Sequence, residues 1–133
     1  MQSANLAAGK RMQIRKQFKF EAAHQLPHHP GKCARPHGHS YRLDVALRGP
    51  VQTEGPAAGM VDDFEALESL VQRTIIDEVD HRSLNDFIPN PTCELILRWI
   101  WKRLQPSLPH LDELVLWETA SACAVLRAGD HAK

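Results

Sequence analysis

The sequence lacks an excess of charge of either sign. Its 133 residues carry 16 Lys and Arg against 16 Asp and Glu, so the formal net charge is zero with histidine neutral. Binders of nucleic acid or of anionic membranes need a strongly basic surface, and the balance argues against both classes. No apolar run approaches the roughly 20 residues that span a bilayer, and no signal peptide with an apolar centre opens the chain. We therefore expect a soluble protein of the cytoplasm.

Cysteine is also scarce, since the chain has only Cys33, Cys93 and Cys123, with no CxxC pair. An odd number of cysteines leaves at least one thiol free, and a disulfide framework is not expected in a cytosolic chain of this size. Cys93, at the start of a predicted helix, and Cys123, in a predicted strand, resemble small apolar core residues.

The hydrophobic pattern predicts one α+β domain. Residues 1–11 show no periodicity and are expected to form a flexible extension, whereas residues 12–133 are expected to form a single domain. The elements predicted from alternation and helical spacing are strands at 14–24, 37–48, 113–119 and 122–127, and helices from Asp62 or Asp63 to Val79 and from Thr92 to about Pro106. This β-β-α-α-β-β order predicts a four-stranded antiparallel sheet with both helices on one face. Its open edges favour oligomerisation.

The first predicted helix carries an apolar stripe that we expect to be buried against the sheet. The residues of this stripe are Phe64, Leu67, Leu70, Val71, Ile75 and Val79.

Histidine is the residue in excess, with five of the eight between positions 24 and 39. His24 ends the apolar face of the first predicted strand, and His37 and His39 begin that of the second, so a hairpin brings all three together. Three imidazoles without a fourth protein ligand are typical of a catalytic zinc site with an open position. The alternative is a set of partly buried histidines that only form hydrogen bonds. His28 and His29 lie in a proline-rich loop and are expected to be solvated.

Cys33 lies four residues before His37, in the loop beside the predicted metal site. A nearby dication and Lys32 or Arg35 favour the thiolate, the form that a nucleophile or general base requires. Alternatively, Cys33 is itself a zinc ligand, and the site is then closed and structural.

Two further polar features fit acid–base chemistry or ligand binding. In the adjacent pair Asp80–His81, the carboxylate can orient the imidazole, although such pairs also occur by chance. Glu118 shares the apolar face of its strand with Leu114 and Leu116, so its carboxylate needs a partner. That partner is either a pair of N–H groups on a heterocycle or an arginine.

These residues lie in five motifs that together resemble the 6-pyruvoyl-tetrahydropterin synthase / 6-carboxy-tetrahydropterin synthase family. The motifs are FKFEAAHQLP (18–27), CARPHGHSY (33–41), VDHRSLN (79–85), NPTCELILRWIW (90–101) and WET (117–119). The resemblance implies a tunnelling fold, in which sheets of several subunits join into a barrel, and a hexamer of two trimers with active sites between subunits.

The resemblance also implies a role for each site residue. His24, His37 and His39 bind Zn²⁺, and Cys33 is the catalytic thiol. Asp80 and His81 form a proton relay. The residues implied in binding the pterin are Glu118, Thr92 and Glu94.

The CxxxHGH spacing resembles that of the bacterial 6-carboxy-tetrahydropterin synthases of the queuosine pathway. This branch implies a zinc-dependent lyase that converts 7,8-dihydroneopterin triphosphate to 6-carboxy-5,6,7,8-tetrahydropterin, acetaldehyde and triphosphate. One alternative is a 6-pyruvoyl-tetrahydropterin synthase, which eliminates triphosphate but keeps the side chain intact. Another is a zinc-stabilised binding module without catalysis.

Overall fold

Two long antiparallel strands form the centre of the fold. They are β1 (Arg11–His24) and β2 (His37–Pro50), and they pair along their whole length, from Arg11 opposite Pro50 to His24 opposite His37. The computed structural model describes residues 10–131, so residues 1–9 of the expected extension lie outside the described residues. Because side chains alternate along a strand, each strand has one buried apolar face, which includes Phe20 and Leu43.

The sheet differs from the prediction in one strand. Within residues 10–131 it has five strands in the order β3-β1-β2-β4-β5, where β4 is Leu111–Thr119 and β5 is Ala122–Arg127. β3 is the two-residue strand Arg82–Ser83, which pairs in parallel with Ala22 and Ala23 of β1. The prediction of four antiparallel strands is therefore wrong, because a strand of two residues in a polar segment has no periodicity to detect.

The first helical segment, α1, contains a π-helical turn. It runs through Phe64–Val71, the π turn Gln72–Ile76 and a last α turn, Asp77–Val79. Ile75 and Ile76 are both buried, and Arg103 donates a hydrogen bond to the Thr74 carbonyl at 3.3 Å. A π turn inserts a residue into the helix, so two successive side chains reach the core.

Phe64 is a correction to the predicted stripe, since it is 49% exposed while Leu67 and Val71 are buried. Helical spacing predicts which face of a helix is buried, but it does not show how far the sheet extends beneath that face. The first turn of α1 therefore has the predicted orientation without the predicted burial.

The second helix, α2 (Cys93–Leu104), begins where the sequence predicts. Thr92 is its N-cap, and its hydroxyl accepts a hydrogen bond from the Leu95 N–H at 3.1 Å. Both helices share one hydrophobic core with the apolar face of the sheet. Its fully buried large side chains are Tyr41, Phe20, Leu43, Leu47, Leu67, Ile75, Leu84, Ile96, Leu97, Ile100, Leu104 and Leu114. No helix within residues 10–131 is long and apolar enough to cross a membrane.

The opposite face of the sheet carries several ion pairs. Arg15 lies 2.6 Å from Glu113 and 3.7 Å from Asp44, and Arg127 lies 3.1 Å from Glu113. Cys123 is exposed on β5, so the expectation that it is a core residue is wrong. It is next to Ala124, and alternation places the two side chains on opposite faces, with Ala124 packed against the core.

Candidate active site

Three histidines meet at the end of the β1–β2 hairpin. His24 lies opposite His37, and His39 lies opposite Ala22, so alternation places all three rings on the same face. One ring nitrogen of each histidine lies within 4.8 Å of those of the other two, which confirms the predicted convergence. Among residues 10–131, no cysteine or carboxylate joins this group, so it leaves a coordination position open.

Backbone carbonyls fix the orientation of two of the rings. The Nδ1–H of His24 donates to the Pro91 carbonyl at 2.8 Å, and the Nδ1–H of His37 donates to the Arg35 carbonyl at 2.8 Å. A carbonyl only accepts hydrogen bonds, so each neutral ring carries its proton on Nδ1 and has its lone pair on Nε2. The two Nε2 atoms are 3.0 Å apart. Two lone pairs facing each other at this distance fit a shared cation.

His39 completes the group with an orphaned nitrogen. Its Nε2 is buried and has no hydrogen-bond partner among the described residues. Burial lowers the pKa of His39, an effect that Glu118 opposes and that His24 and His37 reinforce. The neutral form of an imidazole is the metal ligand. The three histidines therefore fit a metal ion that prefers nitrogen ligands.

Tyr41 is buried next to the three histidines and supports His24. Its ring stacks on Phe20 with the ring centres 4.9 Å apart, and its hydroxyl lies 3.3 Å from Nδ1 of His24. Burial raises the pKa of Tyr41, so the phenol stays protonated and neutral. The side chain thus limits the movement of His24 without adding a charge.

The three histidines line a cavity of about 480 Å³, which we call the histidine cavity. The other polar or charged side chains that line it are those of Lys32, Cys33, Arg35 and Glu118. Cys33 lies in a 3₁₀ turn, Lys32–Ala34, and is partly buried. The structure thus brings the predicted metal ligands, the predicted thiol and the predicted pterin anchor into one cavity.

Glu118 has no basic partner, in contrast to the alternative that an arginine pairs with it. Its Oε1 lies 3.9 Å from Nε2 of His24, and no Arg or Lys within residues 10–131 forms a salt bridge with it. Cys93 lies near this carboxylate and donates a hydrogen bond to the Leu116 carbonyl at 3.2 Å. Burial raises the pKa of the Cys93 thiol to about 12, with a further contribution from Glu118, so this thiol is not a nucleophile at neutral pH.

Asp80 and His81 form a pair, as their adjacency suggests. The Nδ1 atom of His81 lies 2.9 Å from Oδ2 of Asp80, and Oδ1 of Asp80 accepts the Glu21 N–H at 2.8 Å. These hydrogen bonds, from Glu21 first and then from His81, hold the pKa of Asp80 below its usual range. His81 has a φ of +62°, and its side chain is 77% exposed. The pair thus presents a fixed imidazole to solvent.

Asp80 and His81 do not line the histidine cavity of the same chain. His81 lines a separate cavity with Glu21, Gly38 and Ser40, and only His39 is common to the two linings. Alternation along β1 and β2 places Glu21, Gly38 and Ser40 on the face opposite the three histidines. Cys33 and His81 therefore serve different cavities within one chain.

Thr92 and Glu94 lie at the start of α2, outside the lining of the histidine cavity. The Thr92 hydroxyl caps the helix, and Glu94 is exposed in the first turn. Their predicted contact with the pterin has no geometric support within one chain.

Sequence reasoning missed the groups that orient the metal ligands. Two of them, the carbonyls of Pro91 and Arg35, are backbone atoms whose positions leave no trace in residue type. Tyr41 had a detectable signal, because it follows His37 and His39 on the same face of β2.

Comparisons with known proteins extend over most of the chain. The family model for 6-pyruvoyl tetrahydropterin synthase matches residues 13–129. The 6-carboxy-5,6,7,8-tetrahydropterin synthase of Synechocystis sp. is 42% identical over 115 residues, which cover 84% of this chain and 89% of the relative. The protein of the same name from Haemophilus influenzae is 33% identical over 132 residues, which cover 82% of this chain and 94% of the relative.

The solved structure of Caenorhabditis elegans 6-pyruvoyl tetrahydropterin synthase has a similar fold. It superposes with a TM-score of 0.78 at 26% identity and covers 90% of this chain and 96% of that chain. Sequence similarity and fold similarity therefore each extend over most of the chain.

Proposed function

Because this chain belongs to the 6-pyruvoyl tetrahydropterin synthase family, we propose that it is a zinc-dependent lyase acting on 7,8-dihydroneopterin triphosphate. With one water consumed, the products are 6-carboxy-5,6,7,8-tetrahydropterin, acetaldehyde and triphosphate, in the queuosine (7-deazaguanine) pathway. The names of the two relatives support this choice of product. The observation that carries the proposal is the convergence of three histidine nitrogens in one cavity with Cys33 and an unpaired Glu118.

The residues that hold the zinc are His24, His37 and His39. Three neutral imidazoles with an open fourth position are the donor set of a catalytic zinc site. The Nε2 lone pairs of His24 and His37 and the orphaned Nε2 of His39 support this choice. When bound, the zinc ion supplies a Lewis acid that polarises oxygen atoms of the substrate side chain.

Glu118 binds the pterin ring. Its carboxylate has no basic partner and can accept two N–H groups from a heterocycle in parallel. The thiol of Cys93 and the phenol of Tyr41 near it are neutral, so neither of these two groups competes with the ligand for the carboxylate.

Cys33 acts as the general base on the substrate side chain. It lines the same cavity as the three histidines, so a side chain placed beside them is within its reach. Its thiolate removes a side-chain proton, and the electron pair left on carbon expels the triphosphate. Addition of the one water to the remaining side chain and cleavage of a carbon–carbon bond then give the carboxyl group and acetaldehyde.

The Asp80–His81 pair moves protons for the histidine cavity of a neighbouring subunit. Asp80 holds Nδ1 of His81, so Nε2 is the atom that exchanges protons. The separation of the two cavities within one chain supports a site completed by a second subunit. β3 and β5 form the edges of the sheet, and such edges pair with other strands, which supports a hexamer built from two trimers.

The free thiols of Cys33, Cys93 and Cys123 suit a reducing compartment, so we place the reaction in the cytoplasm. An oxidising compartment would threaten Cys33 first, since the proposed mechanism requires it as a free thiolate.

The alternative product is 6-pyruvoyl-tetrahydropterin, which the name of the similar C. elegans protein favours. That reaction releases triphosphate but keeps all the carbon atoms of the side chain. Acetaldehyde is therefore the product that separates the two activities.

The test is incubation of the zinc-loaded protein with 7,8-dihydroneopterin triphosphate, followed by chromatography of the pterins and an enzymatic assay for acetaldehyde. We expect acetaldehyde and 6-carboxy-tetrahydropterin in equal amounts. Triphosphate release without acetaldehyde would identify the pyruvoyl enzyme, and absence of triphosphate release would contradict both.

Cysteine variants test the mechanism separately from the product. Cys33→Ala should keep its zinc and lose activity by about 100-fold or more, in line with the loss of a general base. Cys123→Ala is the matched control, because this cysteine is exposed on β5 and outside the cavity. Loss of zinc from Cys33→Ala would instead make Cys33 a ligand and favour the non-catalytic zinc module.

A further inference from the structure

Two cationic residues flank Cys33 in the chain. Lys32 and Arg35 both line the histidine cavity, with Cys33 between them in the chain. The Arg35 N–H donates to the Lys32 carbonyl at 3.0 Å and closes the 3₁₀ turn. Both side chains line the same cavity, so their two charges face it together.

The charges of Lys32 and Arg35 are not neutralised by acidic residues. Neither forms a salt bridge with any residue in the described range 10–131. Arg15 and Arg127, in contrast, both pair with Glu113 on the opposite face of the sheet. Lys32 and Arg35 are therefore available for an anionic ligand.

The backbone of this turn is fixed on both sides. The Leu26 N–H donates to the Cys33 carbonyl at 2.8 Å, and the Arg35 carbonyl accepts the Nδ1–H of His37. The backbone that carries the two cations is thus linked to the histidine group by a hydrogen bond. A fixed backbone leaves only side-chain freedom to be lost when the two residues bind an anion.

The cavity therefore has a carboxylate at Glu118 and positive charges at Lys32 and Arg35, and the three histidines also line it. A ligand that donates N–H groups at one end and carries negative charge at the other matches both. The chain as a whole has no net charge, so attraction of an anion has to be local.

We propose that Lys32 and Arg35 form the polyphosphate subsite of the histidine cavity. This inference rests on the proposed function, because it assigns the triphosphate of that substrate to these two residues. Arginine binds phosphate oxygens in pairs, and lysine acts as a point charge beside it. Glu118 repels the same anion, so the substrate enters in one orientation only.

The test compares the double variant Lys32→Gln/Arg35→Gln with the control Arg73→Gln/Lys102→Gln. The control removes the same two charges from exposed positions on α1 and α2, outside the histidine cavity. Three quantities are measured for each protein: KM for 7,8-dihydroneopterin triphosphate, the inhibition constant of unphosphorylated 7,8-dihydroneopterin, and the calorimetric Kd for inorganic tripolyphosphate. Zinc content is determined after each titration, since polyphosphates also chelate metal.

In the Lys32→Gln/Arg35→Gln protein we expect KM for the triphosphate and Kd for tripolyphosphate to rise about tenfold or more, as for lost charge-assisted hydrogen bonds. The inhibition constant of the unphosphorylated pterin should stay within about twofold, because its contact is with Glu118. The control should match the wild type. Equal weakening of both pterins, or an unchanged Kd for tripolyphosphate, would overturn the subsite.

The outcomes separate this inference from the proposed function. Wild-type protein that binds tripolyphosphate through Lys32 and Arg35 but leaves the pterin triphosphate intact contradicts the function, and with it the assignment of this anion site to that substrate. Turnover with the same KM in the wild type and the Lys32→Gln/Arg35→Gln variant contradicts the subsite and leaves the function standing.

Discussion

The carbonyl oxygen of Pro91 accepts a hydrogen bond from the Nδ1–H of His24 at 2.8 Å. Pro91 is buried and directly precedes Thr92, the N-cap of α2. The start of a helix and the end of β1 are thereby joined through a metal-ligand candidate. Because the acceptor is a backbone atom, the position of α2 determines the orientation of the imidazole, and packing of the core supports the site.

His37→Ala should abolish stoichiometric zinc binding, with affinity lower by at least about 100-fold, because one of three convergent nitrogens is lost. Competition with a chromogenic chelator measures the affinity, and atomic absorption measures the content. His28→Ala is the matched control, since His28 is exposed in the loop between β1 and β2. A His37→Ala protein with full zinc content would refute the metal site.

Tyr41→Phe should weaken zinc binding by roughly tenfold, the scale on which groups supporting a ligand act. The phenyl ring keeps the stacking on Phe20, and only the hydroxyl 3.3 Å from His24 is removed. The absorption spectrum of the cobalt-substituted protein should shift, since the ring of His24 gains freedom. Unchanged chelator competition together with an unchanged cobalt spectrum would show that Tyr41 acts only in packing.

Asp80→Asn should lower kcat by about 100-fold, because the amide cannot stabilise a protonated His81. The pKa of Asp80 is held below its usual range by hydrogen bonds from Glu21 and His81. The Asp80 carboxylate therefore stays charged to a lower pH than an ordinary aspartate does. Any fall in kcat of the wild type at low pH should not arise from protonation of Asp80. The measurement is kcat between about pH 5 and pH 9, a range above the ordinary pKa of aspartate. The exposed Asp86→Asn serves as the control, and equal activity of the two variants would remove Asp80 from the mechanism.

Glu113→Gln should destabilise the fold by about 1 kcal/mol at neutral pH. A hydrogen bond from Arg15, and then one from Arg127, lowers the pKa of Glu113 in the folded state. A lowered folded pKa stabilises the protein above the unfolded pKa of about 4.3, and this stabilisation is lost as the pH falls through the folded value.

The difference in free energy of unfolding between Glu113→Gln and wild type should therefore shrink below about pH 4, as measured by urea denaturation across pH. Glu54→Gln, in an exposed loop, is the control. A difference that persists unchanged into acid would show that the charge of Glu113 is not its cause.

Alternation and helical spacing were sufficient to predict four of the five strands, and both helices, that the structure shows between residues 10 and 131. The alternating positions of His24, His37 and His39 predicted the convergence of their rings correctly, because strand geometry places such residues on one face. The same reasoning missed β3, which consists of Arg82 and Ser83 alone. It also wrongly predicted that Phe64 is buried, because burial depends on which residues pack against that turn of the helix.

Residue type and spacing by themselves determined which side chains could do chemistry: three histidines, one thiol in a tight loop and one carboxylate on an apolar strand. The neutral balance of charge argued against a dedicated binder of nucleic acid or of anionic membranes before any fold was known. Only the tertiary structure decided how these groups are held and divided. It joined His24 to the carbonyl of Pro91, left Glu118 without an arginine or lysine partner among residues 10–131, and placed His81 in a separate cavity. These are relations between backbone atoms and faces of the sheet far apart in the chain, and only chain folding fixes them.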